Sequence, residues 1–518
     1  MRSPRRLAIV ATLSAAALLL SGCVSLPLDW LARRGSTPTP AHTAEDHGAD
    51  LARFYEQRVD WTSCGSGLDC TSVTVPVDWE DPSGETLTVA VTRHRATGSR
   101  VGAILYNPGG PGASGFDYVH DYAEYIATPA VLQHYDLIGF DPRGVKRSTG
   151  IACQSGADKD EMLYGTYQAA YGTQEWVDEF TSRAQEWIAA CQDHAGELLG
   201  HLDGASVARD MDVIRAVLGE DRMNYLGYSY GTYLGANYAE LFPERVGRMV
   251  LDGAVDPTVS DANWLITQMG GFESAFRAYL ADCLASTGCP FSGNLDQALG
   301  QVRDLLAGID ARRLRSSDGR VLDVATVGTA IAENLYTESY WSYMTEMFAD
   351  LQDGDAESTF ESADEYNDYY GPGSYDGNGF EVYTSVQCDE SQVGRDGVDV
   401  LEGLARISAA APTVGAAIAY DDYAVLNVLC ANWPYPIAER PAVFDAAGSA
   451  PIVVIGTTND PATPYAQAQS LAEQLENGVL VTYHGEGHTV YGNGVACIDD
   501  AIDAYLVDGD VPSAGLEC

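Results

Sequence analysis

The segment Gly227-Tyr228-Ser229-Tyr230-Gly231 sets a serine between glycines, after the apolar run Met223-Asn224-Tyr225-Leu226 and before a helical stretch that Pro243 ends. A serine hydroxyl is a weak nucleophile until a neighbouring base takes its proton, and a tight strand-to-helix turn exposes it for attack. In a chain with 53 glycines the pattern alone says little; its strand–turn–helix setting gives it weight. Two histidines follow Pro451. His484 closes a strand, whereas His488 lies beyond it in Gly485-Glu486-Gly487-His488, where an imidazole can reach Ser229. For the acid that orients this base, Asp460 follows the strand Ile452-Val453-Val454-Ile455 within Thr458-Asn459-Asp460-Pro461. Asp252, ending Met249-Val250-Leu251-Asp252, is the alternative, although capping a turn before Gly253 suits it better. The order serine, acid, histidine is the one a parallel α/β sheet uses. An oxyanion needs two amide donors: Tyr230 opens the helix after the serine, and Gly110 lies in the loop Asn107-Pro108-Gly109-Gly110-Pro111-Gly112, where glycines let backbone approach substrate. These parts in this order imply a serine hydrolase, with no cofactor and no metal.

The elements that must hold them read as a parallel sheet covered on both faces. Val73-Thr74-Val75-Pro76-Val77 and Leu87-Thr88-Val89-Ala90-Val91 alternate at period two, as half-buried strands do. Ala103-Ile104-Leu105-Tyr106 and Leu137-Ile138-Gly139-Phe140 are short apolar runs that stop at Gly/Pro turns. Ser206 is placed to cap a helix with Met211, Ile214, Val217 and Leu218 on one face, stopped by Gly219. The same rhythm returns after Pro451 with two strands and two helices. Strands alternating with helices define an α/β architecture. Between them, residues 260–434 are helical and aromatic and lack that rhythm, so they read as a cap inserted into the core. The expected organisation is a signal peptide over residues 1–22, a tether over 23–50, core over 51–259, cap over 260–434 and core again over 435–518.

The motifs resemble the tripeptidyl-aminopeptidase branch of the α/β-hydrolases, exported relatives of proline iminopeptidases. The matching stretches are the Asn107 to Gly112 loop, Gly139-Phe140-Asp141-Pro142-Arg143-Gly144, the serine turn with Gly235, Leu241-Phe242-Pro243-Glu244-Arg245-Val246, Leu251-Asp252-Gly253, Asp460-Pro461-Ala462-Thr463-Pro464 and Gly487-His488. They cover the core, about residues 60–260 and 435–518. The resemblance implies catalysis by Ser229, Asp460 and His488 under a helical cap, and release of short peptides, tripeptides in particular, from free N-termini. One departure is Asn107, where proline iminopeptidases carry histidine; the glycine amides are unaffected.

An exopeptidase must bind an ammonium, which calls for carboxylates at the closed end of its cleft. Residues 346–400 hold 15 Asp and Glu against the single basic residue Arg395, about twice the acid density of the whole chain. Asp389 and Glu390 follow Cys388, and Glu333 precedes the aromatic run Tyr336, Tyr340, Trp341 and Tyr343. These three are the candidates for the substrate amine, although charge runs usually solvate a surface. A carboxylesterase or lipase, or an endopeptidase, would use the same triad without an ammonium site. A binding lipoprotein that kept the fold and lost catalysis would have no need of the intact serine, acid and histidine.

Composition limits partners. The chain of 518 residues carries 29 Lys and Arg against 74 Asp and Glu, a formal charge of −45, with only Lys146 and Lys159 as lysines. Such a surface repels nucleic acid. The expected partner is a peptide or protein substrate. At the N-terminus Arg2, Arg5 and Arg6 precede an apolar run over residues 7–20, too short to span a bilayer but suited to a signal peptide. Leu20-Ser21-Gly22-Cys23 resembles a lipobox, which implies cleavage before Cys23, lipid on its sulfur and anchorage at the outer face of the cell membrane. The remaining ten of the 11 cysteines form an even set, as disulfides in an exported chain require. Pairing neighbours along the chain joins Cys64 to Cys70, Cys153 to Cys191, Cys283 to Cys289, Cys388 to Cys430 and Cys497 to Cys518; other connectivities satisfy the count equally.

Overall fold

The computed structural model of the chain describes residues 48–259 and 261–518, and of residues 261–263 only the backbone. The signal peptide, most of the tether and the lipidation expected at Cys23 lie outside the described residues. The strands are β1 (Thr62–Gly65), β2 (Leu68–Pro76), β3 (Thr86–His94), β4 (Gly102–Asn107), β5 (Tyr135–Phe140), β6 (Met223–Tyr228), β7 (Val246–Asp252), β8 (Tyr369–Gly371), β9 (Ser374–Tyr375), β10 (Ile452–Asn459), β11 (Gly478–Glu486) and β12 (Leu516–Glu517). Among the described residues the main sheet has ten strands in the order β1-β2-β3-β5-β4-β6-β7-β10-β11-β12. The first three pairings from the β1 edge, ending at β3 with β5, are antiparallel, and every later pairing is parallel.

The apolar runs of β4 and β5 lie at the centre with all their residues buried. Side chains alternate across a strand, so Ala103 and Leu105 of β4 join one core and Ile104 and Tyr106 the other. The first core is closed by the helices Gly204–Leu218, Tyr230–Leu241 and Ala466–Gln474, the second by Gly115–Ile126, Pro129–His134 and Ala496–Asp508. Asp203 rather than Ser206 caps the Gly204–Leu218 helix, its side chain accepting the Ser206 N–H at 2.9 Å. Both residue types make good caps, and the choice falls one turn earlier because the apolar face already begins at Val207. Gly219 ends the helix in the left-handed conformation.

Between β7 and β10 the chain is helical from Asp261–Ala285 to Tyr423–Ala431, apart from the small β8–β9 hairpin. A second contribution comes from earlier in the chain. Between β5 and the Gly204–Leu218 helix, the helix Gln174–Ala195 stacks Trp176 and Phe180 with Tyr167, Tyr171 and Tyr420, and Tyr171 donates to Asp323 at 2.7 Å. Sequence reading assigns that segment to the core, because its aromatic partners are distant in the chain. Disulfides join Cys64 to Cys70, Cys153 to Cys191, Cys283 to Cys289, Cys388 to Cys430 and Cys497 to Cys518. Among the described residues no helix is long and apolar enough to cross a membrane.

Candidate active site

Ser229 sits between β6 and the Tyr230–Leu241 helix at φ 54° and ψ −126°, a conformation that costs a non-glycine residue energy and marks an imposed turn. Neighbouring bonds hold it there. The Ser229 N–H donates to the Asp252 carbonyl at 3.0 Å, and the Ser229 carbonyl accepts from the Thr232 N–H and hydroxyl at 2.8 and 2.6 Å. A side chain at Gly109 would come within 2.8 Å of the Ser229 Cβ and 3.0 Å of the Tyr230 nitrogen. That glycine lets the Asn107 to Gly112 loop press on the turn.

The loop is itself fixed. Asn107, 1% exposed, accepts the Gly109 N–H on its Oδ1 at 2.9 Å. That bond occupies the Gly109 amide, and Gly110 supplies the next N–H along the loop. Beyond it, Ser114 caps the Gly115–Ile126 helix by accepting the Asp117 N–H at 3.0 Å, and its hydroxyl donates to buried Asp141. Asp141 opens the turn Asp141-Pro142-Arg143-Gly144. In that turn Arg143, 1% exposed, holds Asp210 at 2.6 Å and donates to the carbonyls of Pro76, Val77 and His201. That motif is a buried scaffold for the loop.

His488 lies just past β11, whose last residue is Glu486. Its Nδ1 is 2.9 Å from both oxygens of Asp460, which is 2% exposed. The N–H groups of Ala462 and Thr463 donate to Asp460 Oδ1 at 2.9 Å each, so the carboxylate is oriented by its own turn. Thr463, which sequence reading left without a role, places its hydroxyl 3.1 Å from Asp460 Oδ2 and 3.3 Å from His488 Nδ1. Burial alone would lower the His488 pKa; the charge and hydrogen bond of Asp460, aided by Asp252, outweigh it and raise it. The other ring nitrogen, Nε2, is buried with no hydrogen-bond partner. The ring fills the space a side chain at Gly253 would need, with Cε1 2.9 Å from that position. Asp252, next to Gly253, holds the Ser229 amide, so the serine turn and the imidazole flank the same two residues of main chain, and no hydrogen bond joins the Ser229 hydroxyl to His488 Nε2. His484 is elsewhere: it is exposed and faces Glu517 at 3.1 Å.

The cap touches His488 through Tyr336. The Tyr336 carbonyl accepts the His488 N–H at 2.8 Å and the Tyr336 ring meets the imidazole edge-on at 5.5 Å. Glu333, one turn before Tyr336, is half-buried, and burial together with the charges of Glu365 and Asp368 raises its pKa to about 7. The other two amine candidates are placed differently. Asp389 is 1% exposed and accepts the Trp433 indole N–H at 2.8 Å and the Leu202 N–H at 3.4 Å. Both of its oxygens are engaged in the interior, which removes it from amine binding. Glu390 accepts the Gly204 N–H at 2.5 Å and the Tyr230 hydroxyl at 3.1 Å, so it buttresses the serine turn, and burial raises it to about 8. Sequence proximity to Cys388 does not reveal that this helix end faces inward. Among the described residues no cluster of three or more His, Cys, Asp or Glu is arranged to hold a metal ion.

A mostly parallel sheet, a strained serine at a strand–helix turn and a buried histidine–aspartate pair define the chain as a serine hydrolase of the α/β-hydrolase fold. The family model for TAP-like proteins matches residues 417–518. Serine protease Hip1 of Mycobacterium tuberculosis is 35% identical over 99% of this chain and 98% of its own length. Carboxylesterase B of the same species is 37% identical over 99% of each chain, and the tripeptidyl aminopeptidase of Streptomyces lividans is 32% identical over 97% and 95%. The chain belongs to this family of tripeptidyl-aminopeptidase-like serine hydrolases.

Proposed function

We propose that the protein is an exported, lipid-anchored aminopeptidase that releases short peptides, tripeptides in particular, from free N-termini. The observation that carries this reading is Glu333, a half-buried carboxylate one turn from the Tyr336 carbonyl that holds His488. The charges acting on it are those of Glu365 and Asp368, of its own sign, and an arriving ammonium relieves that repulsion. In the reaction, Ser229 Oγ attacks the peptide carbonyl while His488 Nε2 takes its proton. Asp460 holds the Nδ1–H tautomer and stabilises the imidazolium. The amides of Gly110 and Tyr230 receive the oxyanion. The proton then passes to the departing amine, and water activated by His488 frees the acyl peptide. Anchorage through Cys23 places this chemistry outside the cytoplasm and follows from Leu20-Ser21-Gly22-Cys23.

A second reading, an esterase on the same triad, draws on the similarity to carboxylesterase B. Hydrolysis of a tripeptide anilide with a free amine, beside its N-acetylated twin and with Ser229→Ala as blank, separates them. Cleavage of the free-amine substrate alone supports the aminopeptidase. Equal cleavage of both, or of simple esters only, supports the other.

A further inference from the structure

Asp252 ends β7 with a side chain that is 0% exposed and lies outside the proposed triad of Ser229, His488 and Asp460. Sequence reading makes it the alternative acid for His488, better suited to capping a turn before Gly253. Instead its Oδ2 accepts the N–H groups of Val490 and Tyr491 at 2.9 and 2.8 Å, two and three residues past His488. Its main-chain carbonyl meanwhile accepts the Ser229 N–H at 3.0 Å. One residue thus grips the serine turn with its backbone and the histidine loop with its carboxylate. Its other oxygen, Oδ1, is buried without a hydrogen-bond partner. A neutral amide would accept the same two N–H bonds without the cost of burying a charge, so the charge itself needs a reason, and the imidazole packed on Gly253 supplies one.

We propose that Asp252 is a second carboxylate of the catalytic centre, a positioning residue that fixes the His488 loop against the serine turn and stabilises the imidazolium by its charge. The inference rests on reading Ser229 and His488 as nucleophile and base. The titratable groups acting on Asp252 are His488 and Asp460, with Tyr106 and Tyr228 alongside. Burial raises Asp252 to about 6, which leaves it ionised at neutral pH. Its charge counts among the causes that raise His488.

The test is the rate of labelling by a fluorophosphonate between pH 4.5 and 8.5, which reports Ser229 and His488 whatever the natural substrate. Ser229→Ala must abolish labelling; if it does not, the site reading fails and the inference with it. Asp252→Asn keeps the N–H acceptor and removes the charge. The imidazolium then loses support, the His488 pKa falls, and the acid limb of the profile moves down by at least half a pH unit. The maximal rate drops about tenfold. Asp252→Glu, which keeps the charge, retains the wild-type limb. Asp252→Ser serves as a second neutral variant should the asparagine protein not fold, with circular dichroism melts checking each. A slower rate on an unmoved limb would reduce Asp252 to a structural clamp and overturn the proposal.

Discussion

Replacing Glu333 by glutamine tests the amine site most directly, because the change is nearly isosteric and removes only the charge. Glu333 is raised from 4.5 to about 7, which at 1.36 kcal/mol per pKa unit means that ionising it in the empty site costs about 3 kcal/mol. A substrate ammonium recovers most of that cost, and a charged hydrogen bond in a half-buried site is worth ~1.5–3 kcal/mol by the general scale. Losing about 2–3 kcal/mol lowers kcat/KM some 30- to 150-fold, by the relation of tenfold per 1.4 kcal/mol. The assay is steady-state hydrolysis of the free-amine tripeptide anilide and of its N-acetylated twin. The free-amine substrate should suffer the full loss, chiefly in KM, and any residual cleavage of the acetylated one should change less than about threefold. The pH dependence has a fixed sign. Below about pH 7 wild-type Glu333 protonates and KM for the free-amine substrate rises; above about pH 8 the substrate amine itself loses its proton and KM rises again. Glu333→Gln should lack the acid rise. Equal losses on both substrates, or an acid rise that persists in the variant, would refute the reasoning, since neither depends on the Glu333 charge.

Thr463→Val deletes the hydroxyl that bridges Asp460 and His488; at about 1–1.5 kcal/mol for such a bond it should cut kcat about tenfold with KM nearly unchanged, in the same anilide assay. Arg143→Ala leaves Asp210, 1% exposed, in the interior without its cation and with the Trp79 indole N–H still donating to it. Breaking a buried pair on one side costs about 3–5 kcal/mol, which should show as an earlier urea midpoint; an unchanged midpoint would mean that the pair carries no stability.

The triad candidates were legible because each is tied to a local pattern. A glycine-flanked turn brackets Ser229, an apolar strand precedes Asp460, and a short loop after a strand carries His488. The pairing of Asp460 with His488 then follows from strand order, which sets β10 beside β11. Thr463 had no such signal, and the strand end that made Asp252 the alternative acid gave no hint of the contacts it makes. Thr463 reaches His488, 25 residues away, and Asp252 reaches Val490 and Tyr491, 238 and 239 residues away, and no periodicity encodes contacts of that kind. The acids of the cap illustrate the converse error. Asp389 and Glu390 are candidates for the substrate amine because they follow Cys388 in an acid-rich stretch, yet the helix Gly379–Glu390 turns them inward onto Trp433, Leu202, Gly204 and Tyr230. Composition counts charges but cannot say which of them has been paid for by a buried donor. Glu333 differs physically: burial and the charges of Glu365 and Asp368 act on it with no hydrogen bond from the described residues to offset them, and it lies one turn from the residue that holds the catalytic histidine candidate. In the proposed reading, the substrate ammonium is the charge that relieves this repulsion.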